Sequence, residues 1–146
     1  FDVAVSQAML VLVDDKIRTI KEAKRVVRSG GTAGWLELSW RNEPTDDCIE
    51  HVSKVLCSYC MKKAETFDGW KKAFQKAGIP NVNVQEYNFM SGGFAEMLKD
   101  EGLLNTIEVF HKYITNENVR RRMKLINTTI KEYSSYFGYG IYSFTK

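Results

Sequence analysis

The first forty residues constrain the fold more than any other part of this chain. Phe1 to Val13 is nearly all apolar, with Val3-Ala4-Val5 leading into Met9-Leu10-Val11-Leu12-Val13. A continuous apolar run of this kind suits a strand buried on both faces, so its front is expected to be a central strand. Asp14-Asp15 then offers a helix cap, and Ile17, Ile20, Ala23 and Val27 recur at helical spacing until Gly30-Gly31 ends the helix. Lys21, Lys24, Arg25 and Arg28 crowd its last turns, where they complement the negative end of the helix dipole and need no further explanation than a solvated face. Thr32 to Trp40 is again apolar and strand-like. Strand, helix, strand is the parallel crossover unit, right-handed almost without exception, and it makes this an α/β chain.

The rest of the chain continues the alternation. Thr45-Asp46-Asp47 reads as a helix start, and Ile49, Val52, Val55 or Leu56, Tyr59 and Ala64 carry one helical stripe toward Phe67, with a break expected at Asp68-Gly69. Trp70, Ala73, Phe74 and Ala77 form a second amphipathic stretch that stops at Gly78, and Asn81 to Phe89 alternates like a strand. After Ser91-Gly92-Gly93 the pattern is helical through Tyr133, and the aromatic, Gly-punctuated stretch from Phe137 to Phe144 reads as a last strand. The 146 residues are expected to form one domain, with a helical insert over roughly 91–135 before that strand.

Composition excludes several classes. With 21 basic against 18 acidic residues interspersed, a net charge of +3 does not describe a nucleic-acid binder. No apolar run reaches membrane-spanning length and no basic-then-apolar start resembles an export signal, so a soluble, cytoplasmic protein is expected. Three cysteines, an odd count, then point to reduced thiols rather than a disulfide framework. The opening Phe1-Asp2-Val3-Ala4-Val5, without Met or lead-in, leads us to expect a fragment of a longer protein.

Several junctions match a known family. Phe1-Asp2-Val3-Ala4-Val5 is similar to the Phe-Asp-x-Val of the fourth strand in class I S-adenosylmethionine-dependent methyltransferases of the type 11-like group. Arg25-Val26-Val27-Arg28-Ser29-Gly30-Gly31 resembles that family's Arg-Val-Leu-Lys-Pro-Gly-Gly helix end, with Val27 for Leu and Ser29 for Pro. Trp70 to Ile79 resembles the family's fifth helix, and Phe137 to Lys146 its closing strand. The resemblance implies the C-terminal half of a Rossmann-like methyltransferase fold: about four strands, flanking helices and the helical insert. It implies methyl transfer from S-adenosylmethionine to a small-molecule acceptor. The family's Gly-rich cofactor loop and ribose-binding acid have no counterpart here, and Gly30-Gly31 is not that loop because it follows a helix and precedes a strand.

Ligands of open α/β sheets bind beyond the carboxyl ends of the strands, where strand order reverses. On the resemblance, Ser6, Gln7 and Ala8 would face the cofactor, and Met9, Glu37 and Trp40 the substrate. Methyl transfer is a displacement at an activated carbon, so alignment and exclusion of water matter more than a strong acid or base. Ser6 and Gln7 could orient a nucleophile or only satisfy loop backbone. Trp40 offers an aromatic wall or a core side chain, and Asp2, at the entry end of its strand, reads as structural. The insert would shape the substrate pocket.

Two other constellations read as structural. Cys48-x-x-His51 with Cys57-x-x-Cys60 has zinc-ligand types, but on one continuous helix the pairs would face opposite sides, so no metal is expected. Arg120-Arg121-Arg122 with Lys124 lacks interleaved aromatics and reads as a solvated face. A non-catalytic interaction module on a degenerate methyltransferase fold is the alternative function, and an unpaired edge on the strand beginning at Phe1 would favour a homodimer.

Overall fold

The structure, a computed structural model, describes residues 1–88 and 94–146, with side chains from residue 98 onward in the second stretch. The expected break at Ser91-Gly92-Gly93 and the end of the strand at Phe89 lie outside the described residues. The chain divides into two compact units, Phe1–Phe89 with Ser135–Lys146, and Met90–Ser134.

The first unit is a mixed sheet with helices. Its elements are β1 (Val3–Gln7), α1 (Lys16–Val26), β2 (Thr32–Trp40), α2 (Asp46–Val55), α3 (Cys60–Lys63), β3 (Glu65–Thr66), α4 (Phe67–Lys76), β4 (Asn83–Asn88) and, after the second unit's α5 (Phe94–Thr115) and α6 (Glu117–Tyr133), β5 (Phe137–Thr145). The sheet order is β1-β2-β5-β4, with the short β3 pairing with β2. β1 and β2 are parallel, as a helical crossover requires, and β5 runs antiparallel to both of its neighbours.

Period-2 alternation explains which face is buried. Ala33, Trp35, Glu37 and Ser39 of β2 point to one side and are buried, and Tyr142, paired with Trp35, joins them. Ile20 and Val27 of the α1 segment and Trp70, Phe74 and Ala77 of the α4 segment complete this core, with Trp35 edge-on to Phe74 and Tyr142 stacked on Phe74. The opposite face, with Val5, Leu36 and Ile141, is half-buried or exposed. Asp15 caps α1 by accepting from the Arg18 amide at 2.9 Å. Gly30 after the helix sits at φ 76°, and a Cβ on Gly31 would lie 2.7 Å from the Asp2 carbonyl oxygen, so both glycines are required by backbone geometry.

Three expectations need correction. The apolar opening is not one strand buried on both faces: β1 ends at Gln7, Leu10 and Val11 are buried in the following loop, and Phe1, Val3 and Val5 are exposed because among the described residues β1 pairs with β2 alone. The stripe from Thr45 to Phe67 is not one helix. It is interrupted between α2 and α3, and Cys57 and Cys60 in and after that interruption are disulfide-bonded, against the expectation of reduced thiols; Cys48 is free and buried. Asp68-Gly69 opens a helix rather than breaking one, since Thr66 accepts from the Gly69 amide at 2.9 Å and Asp68 sits in the first turn of α4.

The second unit is the pair α5 and α6. Gly102, at φ 77°, interrupts helical geometry inside α5. Asn116 caps α6 by accepting from the Asn118 and Val119 amides.

Candidate functional site

The register of β1 on β2 determines the shape of the rim. Gln7, the last residue of β1, pairs with Leu36, so β2 runs on for four more residues, Glu37 to Trp40, beside the loop that follows β1. Ser6 and Gln7 end β1, and an open depression of about 420 Å³ on the sheet touches them together with Val5, Gly34, Trp35, Leu36 and Ile141. Ala8 turns the chain out of the strand at φ 50°, a left-handed conformation that costs a non-glycine residue about 1–2 kcal/mol, and its amide donates to the Leu36 carbonyl at 2.7 Å. Met9 is 48% exposed. The structure thus brings Ser6, Gln7, Ala8 and Met9 together at one strand end.

Glu37 and Trp40 are not on that surface. The Glu37 carboxylate is 0% exposed, and its Oε1 accepts from the amides of Met9 at 3.1 Å and Leu10 at 3.0 Å. Burial pushes its pKa above the ordinary value, opposed by the amides of Leu10, Met9 and Val11 and by the charge of Lys16. Oε2 is buried, with no hydrogen-bond partner among the described residues. Trp40 is 1% exposed, edge-on to Phe137 at 5.8 Å, and its indole N–H donates to the Met61 carbonyl at 3.2 Å. A substrate wall needs an open ring face, and this ring is core. The causes differ: Glu37 lies on the buried face of β2 under the loop after β1, whereas Trp40 packs on Phe137 of β5 and bonds α3.

The loop between β1 and α1 is tied from its other end by lysines. Lys16 donates to the Lys63 carbonyl at 2.7 Å and Glu65 Oε1 at 2.5 Å and lies over the Trp70 ring. Lys63 bonds Asp14 and the Tyr59 hydroxyl, and this contact lowers the Asp14 pKa and raises that of Lys63. Asp2 pairs with Arg28 at 2.6 Å, a structural role at the far end of β1. In the second unit, Arg120 donates to the Ile114 carbonyl at the end of α5 and Arg121 pairs with Glu117, so part of the basic cluster serves helix ends and faces. Among the described residues no group of three or more His, Cys, Asp or Glu could hold a metal ion, and no helix is long and apolar enough to cross a membrane.

No family model matches the chain. It is 25% identical over 130 residues to an uncharacterized protein of Haemophilus influenzae, an alignment that takes in 88% of this chain and 51% of that protein. Among solved structures, phosphoethanolamine N-methyltransferase 2 of Haemonchus contortus, in complex with phosphomonomethylethanolamine and S-adenosylhomocysteine, is similar at a TM-score of 0.65 and 16% identity, over 100% of this chain and 33% of that one. An S-adenosylmethionine-dependent methyltransferase of Geobacter sulfurreducens, in complex with S-adenosylhomocysteine, is similar at 0.60 and 16%, over 97% and 56%. The fold is therefore that of S-adenosylmethionine-dependent methyltransferases, and the chain spans about half the length of the relative it matches.

Proposed function

We propose that residues 1–146 form the C-terminal half of an S-adenosylmethionine-dependent methyltransferase that methylates a small-molecule acceptor. The observation that carries this reading is the alignment of nearly the whole chain, sheet and helices together, with methyltransferases solved holding S-adenosylhomocysteine. Polar groups at Ser6 and Gln7 stand at the end of β1, beside an open apolar face of the sheet that carries Val5, Leu36 and Ile141. The cofactor would supply an activated methyl group. Ser6, Gln7 and Ala8 would border it, with the Ser6 hydroxyl and Gln7 amide orienting polar groups of cofactor or acceptor, and exposed Met9 excluding water. The Gly-rich loop and ribose acid would come from residues outside 1–146, beside the open edge of β1. The test is S-adenosylhomocysteine added to the longer polypeptide, with amide shifts followed by NMR. Shifts centred on residues 6–9 support the reading; shifts that leave these four amides unmoved refute it.

A further inference from the structure

We infer that Glu37 is a positioning residue for the transfer site: its buried carboxyl group clamps the loop after β1 in the conformation that presents Ser6 to Met9 at the rim. The inference rests on the proposed function for what the loop serves, and on geometry alone for the clamp itself.

The loop needs a clamp. Ala8 occupies left-handed backbone without being glycine, and three consecutive amides that no longer have strand partners follow the end of β1. All three are taken by β2: Ala8 N–H donates to the Leu36 carbonyl, and Met9 and Leu10 N–H both donate to Glu37 Oε1. A main-chain carbonyl can serve Ala8 because Leu36 is level with Gln7 in the register. Beyond that point the loop has left the sheet plane, and only a side chain reaching from the buried face can meet it. Glu37 is the residue at that height. Without Glu37 the Leu10 amide would be a buried donor left unsatisfied, and the part-buried Met9 amide would lose its acceptor.

A carboxyl is also an unusual choice for a 0% exposed position of a sheet whose neighbouring core residues are Trp35 and Tyr142. Among the described residues its hydrogen-bond donors are main-chain amides of the loop after β1, so the loop is what the carboxyl group serves. One acceptor serving two adjacent amides explains the choice. The same acceptor is present in glutamine and absent in leucine, which have nearly the same size, and this separates the clamp from mere filling of volume.

The test uses the 146-residue chain, with amide hydrogen exchange at Met9 and Leu10 read by NMR against Ile20 and Phe74 as core references. Glu37→Gln should keep both amides protected, while Glu37→Leu should speed their exchange by about tenfold or more and leave the references unchanged. Unchanged exchange in Glu37→Leu, or loss of protection equal at all four amides, overturns the clamp. Should Glu37→Leu fail to fold, the wild-type chain decides: the Met9 and Leu10 amide shifts should titrate together with a midpoint above the ordinary carboxylate value, and flat shifts overturn it. Neither readout involves S-adenosylmethionine, so failure of the clamp and failure of the methyltransferase reading are separate results.

Discussion

Trp40 separates a core role from a ligand-facing one by a large margin. Its ring is 1% exposed, meets Phe137 edge-on and closes a hydrogen bond to the Met61 carbonyl. Truncating a buried tryptophan to alanine removes its transfer free energy and leaves a cavity, about 3–5 kcal/mol together, of which an edge-to-face ring pair supplies about 0.5–1.5 kcal/mol. Against a typical domain stability of about 5–15 kcal/mol, Trp40→Ala should lower the thermal midpoint by about 10 °C or more. Trp40→Phe keeps most of the area but strands the Met61 carbonyl, so it should fall between, at about 1–3 kcal/mol. Circular dichroism against temperature and urea measures both variants. A Trp40→Ala midpoint within about 1 kcal/mol of wild type would refute the core assignment and return Trp40 to the rim, since surface substitutions have effects of about that size or less.

Because burial raises the Glu37 pKa in the folded chain, its stabilising contribution is complete below the unfolded value near 4.5 and is lost as pH rises through the folded value, moderated by nearby Lys16; Tyr142, also facing it, is raised and stays protonated. Urea midpoints of wild type should therefore fall relative to Glu37→Gln as pH rises from acid to neutral, and parallel curves would contradict this. Without reductant, thiol labelling should reach neither Cys57 nor Cys60, and Cys48 only slowly, since it is buried and its pKa is raised; rapid labelling of all three would contradict the disulfide. We also propose that the open edge of β1, with Val5 83% exposed, drives homodimer formation in the 146-residue chain. Light scattering should show mass rising with concentration and Val5→Lys should suppress it.

Much of the fold was legible in the sequence because its signals were local. Apolar runs, the helical spacing of Ile17, Ile20 and Ala23, the Asp14-Asp15 cap and the Gly30-Gly31 stop each report one element, and β1, α1, β2, α4 and β5 stand where these signals indicate. The errors arose where tertiary context decides. Whether Val3 and Val5 are buried depends on a neighbouring strand, which no periodicity within residues 1–13 reveals. Asp68-Gly69 reads as a breaker until Thr66 is seen capping it. At the candidate site, the placing of Ser6 to Met9 at a strand end is a sequence-level event, whereas the depth of Trp40 depends on its tertiary partners Phe137 and Met61. One signal for Glu37 was available: counting by twos from Ala33 and Trp35 puts its carboxyl on the buried face, where a charge needs donors.

Isothermal calorimetry with S-adenosylhomocysteine tests the central claim most directly. Micromolar affinity is expected for the longer polypeptide that contains residues 1–146, and weak or undetectable binding for residues 1–146 alone, because in the proposed site Ser6 to Met9 would border the cofactor without enclosing it. Micromolar binding by the monomeric 146-residue chain, or none by the longer polypeptide, would contradict it.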